Sequence, residues 1–129
     1  MRELAEILRV ELEAVRDLLA VCRREQEALV ADDIEALRAA VEKKGELARM
    51  LAALEEERQQ AVRQQTAVSD AAPAEGEELR GLLRHAVREL QEVNETNRLL
   101  ARQSLAYARK VLSLLLPEDQ APALMDRRV

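Results

Sequence analysis

The feature that most constrains this chain is a stripe of mostly apolar residues, spaced alternately four and three apart, between Leu79 and Leu114. This spacing places all of them on one side of an α-helix and favours a long helix packed along a seam. Pro117 ends the pattern, so we predict a helix over about residues 77–116. The stripe comprises Leu79, Leu83, Ala86, Leu90, Val93, Asn97, Leu100, Ser104, Tyr107, Val111 and Leu114.

Two earlier segments show the same period and predict two further helices. The first helix covers about residues 2–30 and the second about residues 33–65. In the connection "DDIE", Asp32 is expected to cap the second helix, with Glu35 completing a capping box. Lys44 and Arg58 interrupt the apolar row of the second helix, and Gly45 costs it about 1 kcal/mol relative to alanine.

The chain between the second and third helices, "TAVSDAAPAEG", has small residues, Pro73 and Gly76, which predict a linker over residues 66–76. We therefore predict an all-α fold, an elongated antiparallel three-helix bundle or coiled-coil hairpin with a long C-terminal helix. A single domain is expected over residues 1–116. A flexible tail is expected over residues 117–129, which contain two prolines and no helical period.

Charge and hydropathy argue against nucleic acids and membranes as partners. The formal net charge is −5, and the row Arg80, Arg84 and Arg88 lies among glutamates, which predicts a solvated, salt-bridged face. No segment approaches the roughly 20 consecutive apolar residues that cross a bilayer. The charged N-terminus is unlike a secretory signal, so we expect a cytoplasmic protein without membrane insertion.

The residues that usually carry catalysis or bind metals are scarce. His85 is the one histidine and Cys22 the one cysteine, and Cys22 is expected to be a buried apolar residue. There is no phosphate-binding loop, nucleophile elbow or metal-ligand spacing. The sequence therefore predicts a binding protein that is not an enzyme and needs no cofactor or metal.

A simple geometric argument predicts where a partner binds. If the second and third helices form an antiparallel hairpin centred near Asp70, facing residues have numbers that sum to about 140. The start of the second helix then lies level with Tyr107, and about nine further residues, or about 13 Å, lack cover from it. Leu29 and Val30 of the first helix are expected to cover this end only partly. Its apolar residues therefore form either a partner-binding surface or, if the helices shift in register, part of the core.

The third helix also resembles a known family. The segment "LRGLLRHAVRELQEVNETNRLLARQSLAYARKVLSLLL" is similar to one found in the FlgN family of flagellar export chaperones. The matching residues are the asparagines Asn94 and Asn97, the pair Leu99 and Leu100, and then Ser104, Leu105 and Tyr107. The first two helices and the acidic turn between them match more loosely, so the resemblance extends over about residues 4–116.

The resemblance implies a cytoplasmic chaperone of the bacterial flagellar type III export system. Family members bind the C-terminal helical region of the hook-filament junction proteins, FlgK and FlgL, and keep them from assembling before export. The flagellar export apparatus is a further partner that the resemblance suggests. Two alternatives stay open, a structural coiled coil that only self-associates and a helical adaptor unrelated to flagella. Dimerisation through the end of the third helix would compete with client binding.

The residues that we expect to bind a partner lie in the second half of the third helix. Asn97 and Ser104 are expected to set the register through hydrogen bonds, and leucine at both positions to raise stability while blurring client choice. The alternative is that Asn97 is satisfied by a backbone carbonyl within the bundle. The predicted partner-binding residues are Asn97, Leu100, Ser104, Tyr107, Val111, Leu112, Leu114 and Leu115.

Overall fold

The computed structural model describes residues 3–67 and 73–116, and these residues form three α-helices and no strand. α1 covers Leu4–Ala31, α2 covers Ile34–Ala67 and α3 covers Pro73–Leu115. The helices pack together as a bundle, so the predicted all-α fold is confirmed. The middle of the predicted linker, residues 68–72, and the predicted tail, residues 117–129, lie outside the described residues.

α3 begins four residues earlier than the sequence predicted, at Pro73, and α2 ends two residues later, at Ala67. Proline is favoured at the first position of a helix, because the N–H group that it lacks has no partner there and its φ angle already suits the helix. Pro73 therefore starts α3. It had been interpreted as part of a linker because proline breaks a helix at interior positions.

The connection between α1 and α2 is a tight turn at two aspartates. Asp32 has a left-handed φ of 55°, and the N–H groups of Asp32 and Asp33 bond to the carbonyl oxygens of Leu29 and Ala28 at 3.4 and 2.9 Å. This is the Schellman ending of a helix. Asp33 caps α2 instead, since its Oδ1 accepts the N–H of Ala36 at 3.1 Å. The predicted cap was therefore one residue out, and no capping box with Glu35 forms.

α1 is the central helix of the bundle. Over the described residues no Cα atom of α2 lies within 8 Å of one of α3, whereas both helices pack on α1. α1 can do this because it carries two buried stripes with helical spacing. One stripe comprises Leu4, Ile7, Glu11, Ala14, Leu18, Val21, Glu25 and Ala28, and the other comprises Leu8, Leu12, Val15, Leu19 and Cys22.

The core consists of three layers of aliphatic side chains along the axis of α1. Full burial of a side chain such as Ile7 stabilises the fold by about 1.5–3 kcal/mol, so this one helix accounts for much of the stability. The layers are Leu4, Ile7, Leu8 and Ala61; Leu12, Val15 and Ala86; and Leu18, Val21, Cys22, Ala40 and Leu47.

The order of the layers shows that α1 runs antiparallel to α2 and parallel to α3. α2 and α3 meet only through side chains, for example where Lys44 Nζ donates to Asn94 Oδ1 at 2.6 Å. The numbers of these two residues sum to 138, close to the register expected for an antiparallel pair. The predicted register therefore agrees with this bond, although α2 and α3 do not pack directly against each other as a helical hairpin.

Two glycines inside helices, Gly45 and Gly81, lie where a larger side chain would fit. A Cβ at Gly81 would meet nothing within 4 Å, and one at Gly45 would meet Arg49 Nη1 at an ordinary 3.7 Å. We expect Gly81→Ala and Gly45→Ala each to raise the free energy of unfolding by about 0.5–1 kcal/mol, because alanine favours the helix. Urea denaturation of both variants checks this, and a lower midpoint in either would contradict it.

Candidate partner-binding site

The C-terminal end of α3 extends past the end of α1. Asn97 Nδ2 donates to the carbonyl oxygen of Cys22 at 2.7 Å, across 75 positions of sequence between parallel helices. The same offset places Ala31, the last residue of α1, level with Ala106 of α3. The nine residues 107–115 therefore continue for about 13 Å beyond α1, at 1.5 Å per residue.

Four of the eight side chains predicted to bind a partner are exposed on this extension. Tyr107, Leu114 and Leu115 are 72%, 76% and 75% exposed, and Leu112 is 45% exposed. Large apolar groups exposed together in this way usually mark a surface that contacts another molecule. Of the other predicted residues, Ser104 is exposed, while Leu100 and Val111 are partly buried.

The exposed part of α3 begins earlier than the geometric argument predicted. Every side chain from Ala101 to Ala108 is exposed, although some of these residues lie level with the last turn of α1. Val30, which was expected to cover this region partly, is itself 70% exposed. α2 does not cover these residues either, because it stays apart from α3. We refer to residues 101–115 as the α3 end.

Leu105 is an exposed apolar residue of the α3 end that was not assigned to the site from the sequence. It lies seven positions before the predicted site residue Leu112, so the two share one side of the helix, and they are 47% and 45% exposed. This seven-residue spacing was the signal in the sequence, beside the longer stripe through Tyr107. The charged residues of the α3 end are Arg102, Arg109 and Lys110, so this surface is both apolar and basic.

Asn97 is the one predicted site residue that lies inside the bundle, with 2% of its surface exposed. Its Nδ2 donates to the carbonyl oxygen of Cys22 at 2.7 Å and to Glu25 Oε1 at 2.8 Å, both on α1. The alternative in which a backbone carbonyl satisfies Asn97 is therefore the one observed. Asn97 is removed from the proposed partner surface, because α1 still faces α3 at this level.

A buried polar network around Glu25 joins all three helices. Glu25 Oε1 accepts from Asn97 of α3 and from Lys44 Nζ of α2, the latter at 3.1 Å, and Lys44 also donates to Asn94. Polar groups satisfied in this way fix a register, because any slip of one helix would leave them unpaired in the interior. The network explains why Lys44 interrupts the apolar row of α2 and why both asparagines lie on one face of α3.

The second interruption of the α2 row, Arg58, has a similar explanation. Arg58 Nε lies 2.9 Å from Glu11 Oε1, and Glu11 is 5% exposed. The two side chains form an ion pair across the interface of α1 and α2. Burial raises the pKa of the Glu11 carboxyl, the charge of Arg58 works in the opposite direction, and Glu55 adds a weaker repulsion.

Cys22 and His85 do not form a reactive site. Cys22 is fully buried, and burial raises the pKa of its thiol, which disfavours the reactive thiolate. His85 is exposed, with Nε2 at 3.4 Å from Glu89 Oε1. In residues 3–67 and 73–116 no group of three histidine, cysteine or acidic side chains could hold a metal ion. None of the helices in this part of the chain is long and apolar enough to cross a membrane.

These features define an all-α protein whose distinguishing surface is an exposed apolar helix end. The chain matches the model of one protein family, described as FlgN protein, over residues 1–124. It therefore belongs to the FlgN family, whose members serve flagellum assembly as export chaperones and are not enzymes. Comparisons with curated proteins and with solved structures find no match.

Proposed function

We propose that this protein binds the C-terminal helical region of hook-filament junction proteins of the FlgK and FlgL type on its α3 end. It holds them in the cytoplasm, prevents premature assembly and releases them to the type III export apparatus. The observation that carries this proposal is the exposure of Leu105, Tyr107, Leu112, Leu114 and Leu115 on a helix that the rest of the bundle does not cover.

The chemistry of the α3 end suits an amphipathic client helix. A helix that is apolar around much of its circumference is normally buried, so its exposure favours a partner that supplies the missing cover. A client helix laid against it hides the apolar stripes of both, and the contact is reversible because it needs no covalent bond. Arg102, Arg109 and Lys110 favour a client segment with acidic residues beside its apolar stripe.

Calorimetric titration tests the proposal. A peptide spanning the C-terminal helix of a FlgK-type junction protein is expected to bind saturably, with a negative change in heat capacity from apolar burial. Binding should be lost in the double variant Leu112→Glu, Leu115→Glu, because each carboxylate would have to be desolvated against the client. Circular dichroism should show unchanged helicity, since both leucines are exposed in the free protein.

A matched control separates loss of this surface from a general effect of added charge. Val41→Glu, Met50→Glu makes the same change at positions of α2 that are 51% and 48% exposed, and it should leave the affinity within about twofold. Absence of binding by the unmodified chain would contradict the proposal. A dimer that dissociates in the Leu112→Glu, Leu115→Glu variant, with no peptide binding by either protein, would favour the self-associating coiled coil instead.

A further inference from the structure

A groove with a volume of about 430 Å³ lies between α2 and α3, over the first half of α1. Leu8, Leu83 and Val87 are among the residues of its apolar floor. The groove exists because α2 and α3 stay apart and only their side chains close over α1. It is distant from the α3 end, since Leu83 and Leu112 are 29 positions apart on one helix, or about 43 Å.

One rim of the groove carries a row of arginines one helical turn apart, Arg80, Arg84 and Arg88. Arg80 Nη1 lies 3.6 Å from Glu77 Oε1. Arg84 and Arg88 have no hydrogen bond or ion pair within the described part of the chain. Glu89, next to Arg88 in sequence, has its Oε2 2.7 Å from Arg23 Nη2 instead. Within residues 3–67 and 73–116, Arg80 is therefore the only arginine of this row that forms the predicted salt bridge.

The unpaired arginines leave a positive rim on a protein whose formal net charge is −5. Arg84 has Arg80 and Arg88 as its neighbours at four positions on either side, so the row is self-repelling in the free protein. An acidic partner would remove this repulsion. The apolar floor favours a partner that also has apolar side chains, which a simple polyanion lacks. The residues that line the groove include no aromatic residue on which a nucleic-acid base could stack.

We propose that this arginine groove binds an amphipathic helix of a partner protein, with acidic residues flanking its apolar stripe. The apolar side chains of the partner helix lie on Leu83 and Val87, and its carboxylates pair with Arg84 and Arg88. This site is additional to the client surface of the proposed function and uses different residues. The protein can therefore hold a client at the α3 end and an acidic helix at the arginine groove at the same time.

Fluorescence anisotropy of the full chain with a labelled designed peptide tests the site. The peptide is an amphipathic helix of about 18 residues, or five turns, with leucines at alternating spacings of four and three and glutamates beside them. We expect saturable binding that weakens about tenfold or more in Arg84→Glu, Arg88→Glu, because two attractions become repulsions. Arg38→Glu, Arg49→Glu makes the same charge change at exposed arginines of α2 and should shift the affinity less than about twofold.

Two altered peptides test the two parts of the proposal separately. Replacing the glutamates by glutamine should remove the effect of the arginine substitutions, and replacing the leucines by serine should abolish binding. Equal binding of the serine peptide would show diffuse attraction of a polyanion and would overturn the proposal. Equal loss in the Arg38→Glu, Arg49→Glu control, or no saturable binding at all, would also overturn it.

Two further measurements separate this site from a membrane contact and from the client surface. Vesicles of phosphatidylglycerol should not compete with the peptide. If they compete with it on the original chain and no longer bind Arg84→Glu, Arg88→Glu, the groove binds a lipid surface and not a helix. Because the α3 end is also apolar and basic, the peptide titrations are repeated in the Leu112→Glu, Leu115→Glu background, which should retain the binding that depends on Arg84 and Arg88. Failure of client binding at the α3 end therefore leaves the arginine groove intact as a proposal, and the reverse also holds.

Discussion

Replacing Arg58 with methionine is expected to lower the free energy of unfolding by about 3 kcal/mol, because it leaves the buried carboxylate of Glu11 without a counter-charge. The value is at the lower end for a buried ion pair, since the Arg58 side chain is 32% exposed while that of Glu11 is 7% exposed. Methionine keeps much of the apolar stem of arginine, so the loss reports mainly on the charge. Urea denaturation near pH 7 measures it.

A second substitution on the partner helix should reverse this loss. With Glu11→Leu added to Arg58→Met, no buried charge remains and apolar groups fill the space between α1 and α2. Such replacements of a buried ion pair are often neutral or stabilising, so we expect the double variant to be at least as stable as the original chain. A double variant as unstable as Arg58→Met alone would show that the two side chains act through packing rather than through charge.

The same pair makes a prediction about pH. Burial raises the pKa of Glu11 above its ordinary value of 4.5, so the folded protein binds this proton more tightly than the unfolded chain. The contribution of Glu11 to stability therefore falls as the pH rises through the window above 4.5. Removing Arg58 raises this pKa further, so the deficit of Arg58→Met should shrink as the pH is lowered toward 4.5. A deficit independent of pH would contradict the electrostatic account.

The three helices were predictable because their periodicity is a local property of the sequence. The central position of α1 was harder to predict. The apolar row through Leu8 and Leu12 indicates one buried side, whereas α1 also has a second buried row through Ile7 and Leu18. That second row contains Glu11 and Glu25, which look like solvated charges until their partners on α2 are known. α1 is central because both of its stripes are buried and because its two glutamates pair with basic residues of α2.

The position of the candidate site was predictable where it depends on the relative lengths of the helices. α3 is longer than α2, and simple antiparallel packing of these two helices predicts an uncovered end of α3. The role of Asn97 was not predictable, since a polar residue in an apolar stripe suits either a client contact or a buried bond. Its donors face Glu25 and Cys22, which are over 70 positions away in sequence. Only the packed structure brings these residues together.

Substituting Asn97 by leucine is expected to lower the free energy of unfolding by about 1–2 kcal/mol, the reverse of the gain that the stripe alone predicts. Leucine cannot donate to Glu25 or to the carbonyl of Cys22, so two buried acceptors lose a partner, and Lys44 alone then compensates Glu25. One effect acts in favour of leucine, because the Oδ1 atom of Asn97 has no hydrogen bond among the described residues. It reduces the loss without reversing it.

Ser104→Leu is the matched control, because Ser104 lies in the same stripe two helical turns later and is exposed. We expect its stability to change by less than about 0.5 kcal/mol, as at other surface positions. Urea denaturation of both variants, with amide hydrogen exchange across α3, separates the two cases. Asn97→Leu should speed exchange where α3 leaves the bundle, and Ser104→Leu should not. If Asn97→Leu instead stabilised the protein, the Glu25 network would not be what holds α3 in register on α1, and the apolar seam alone would suffice.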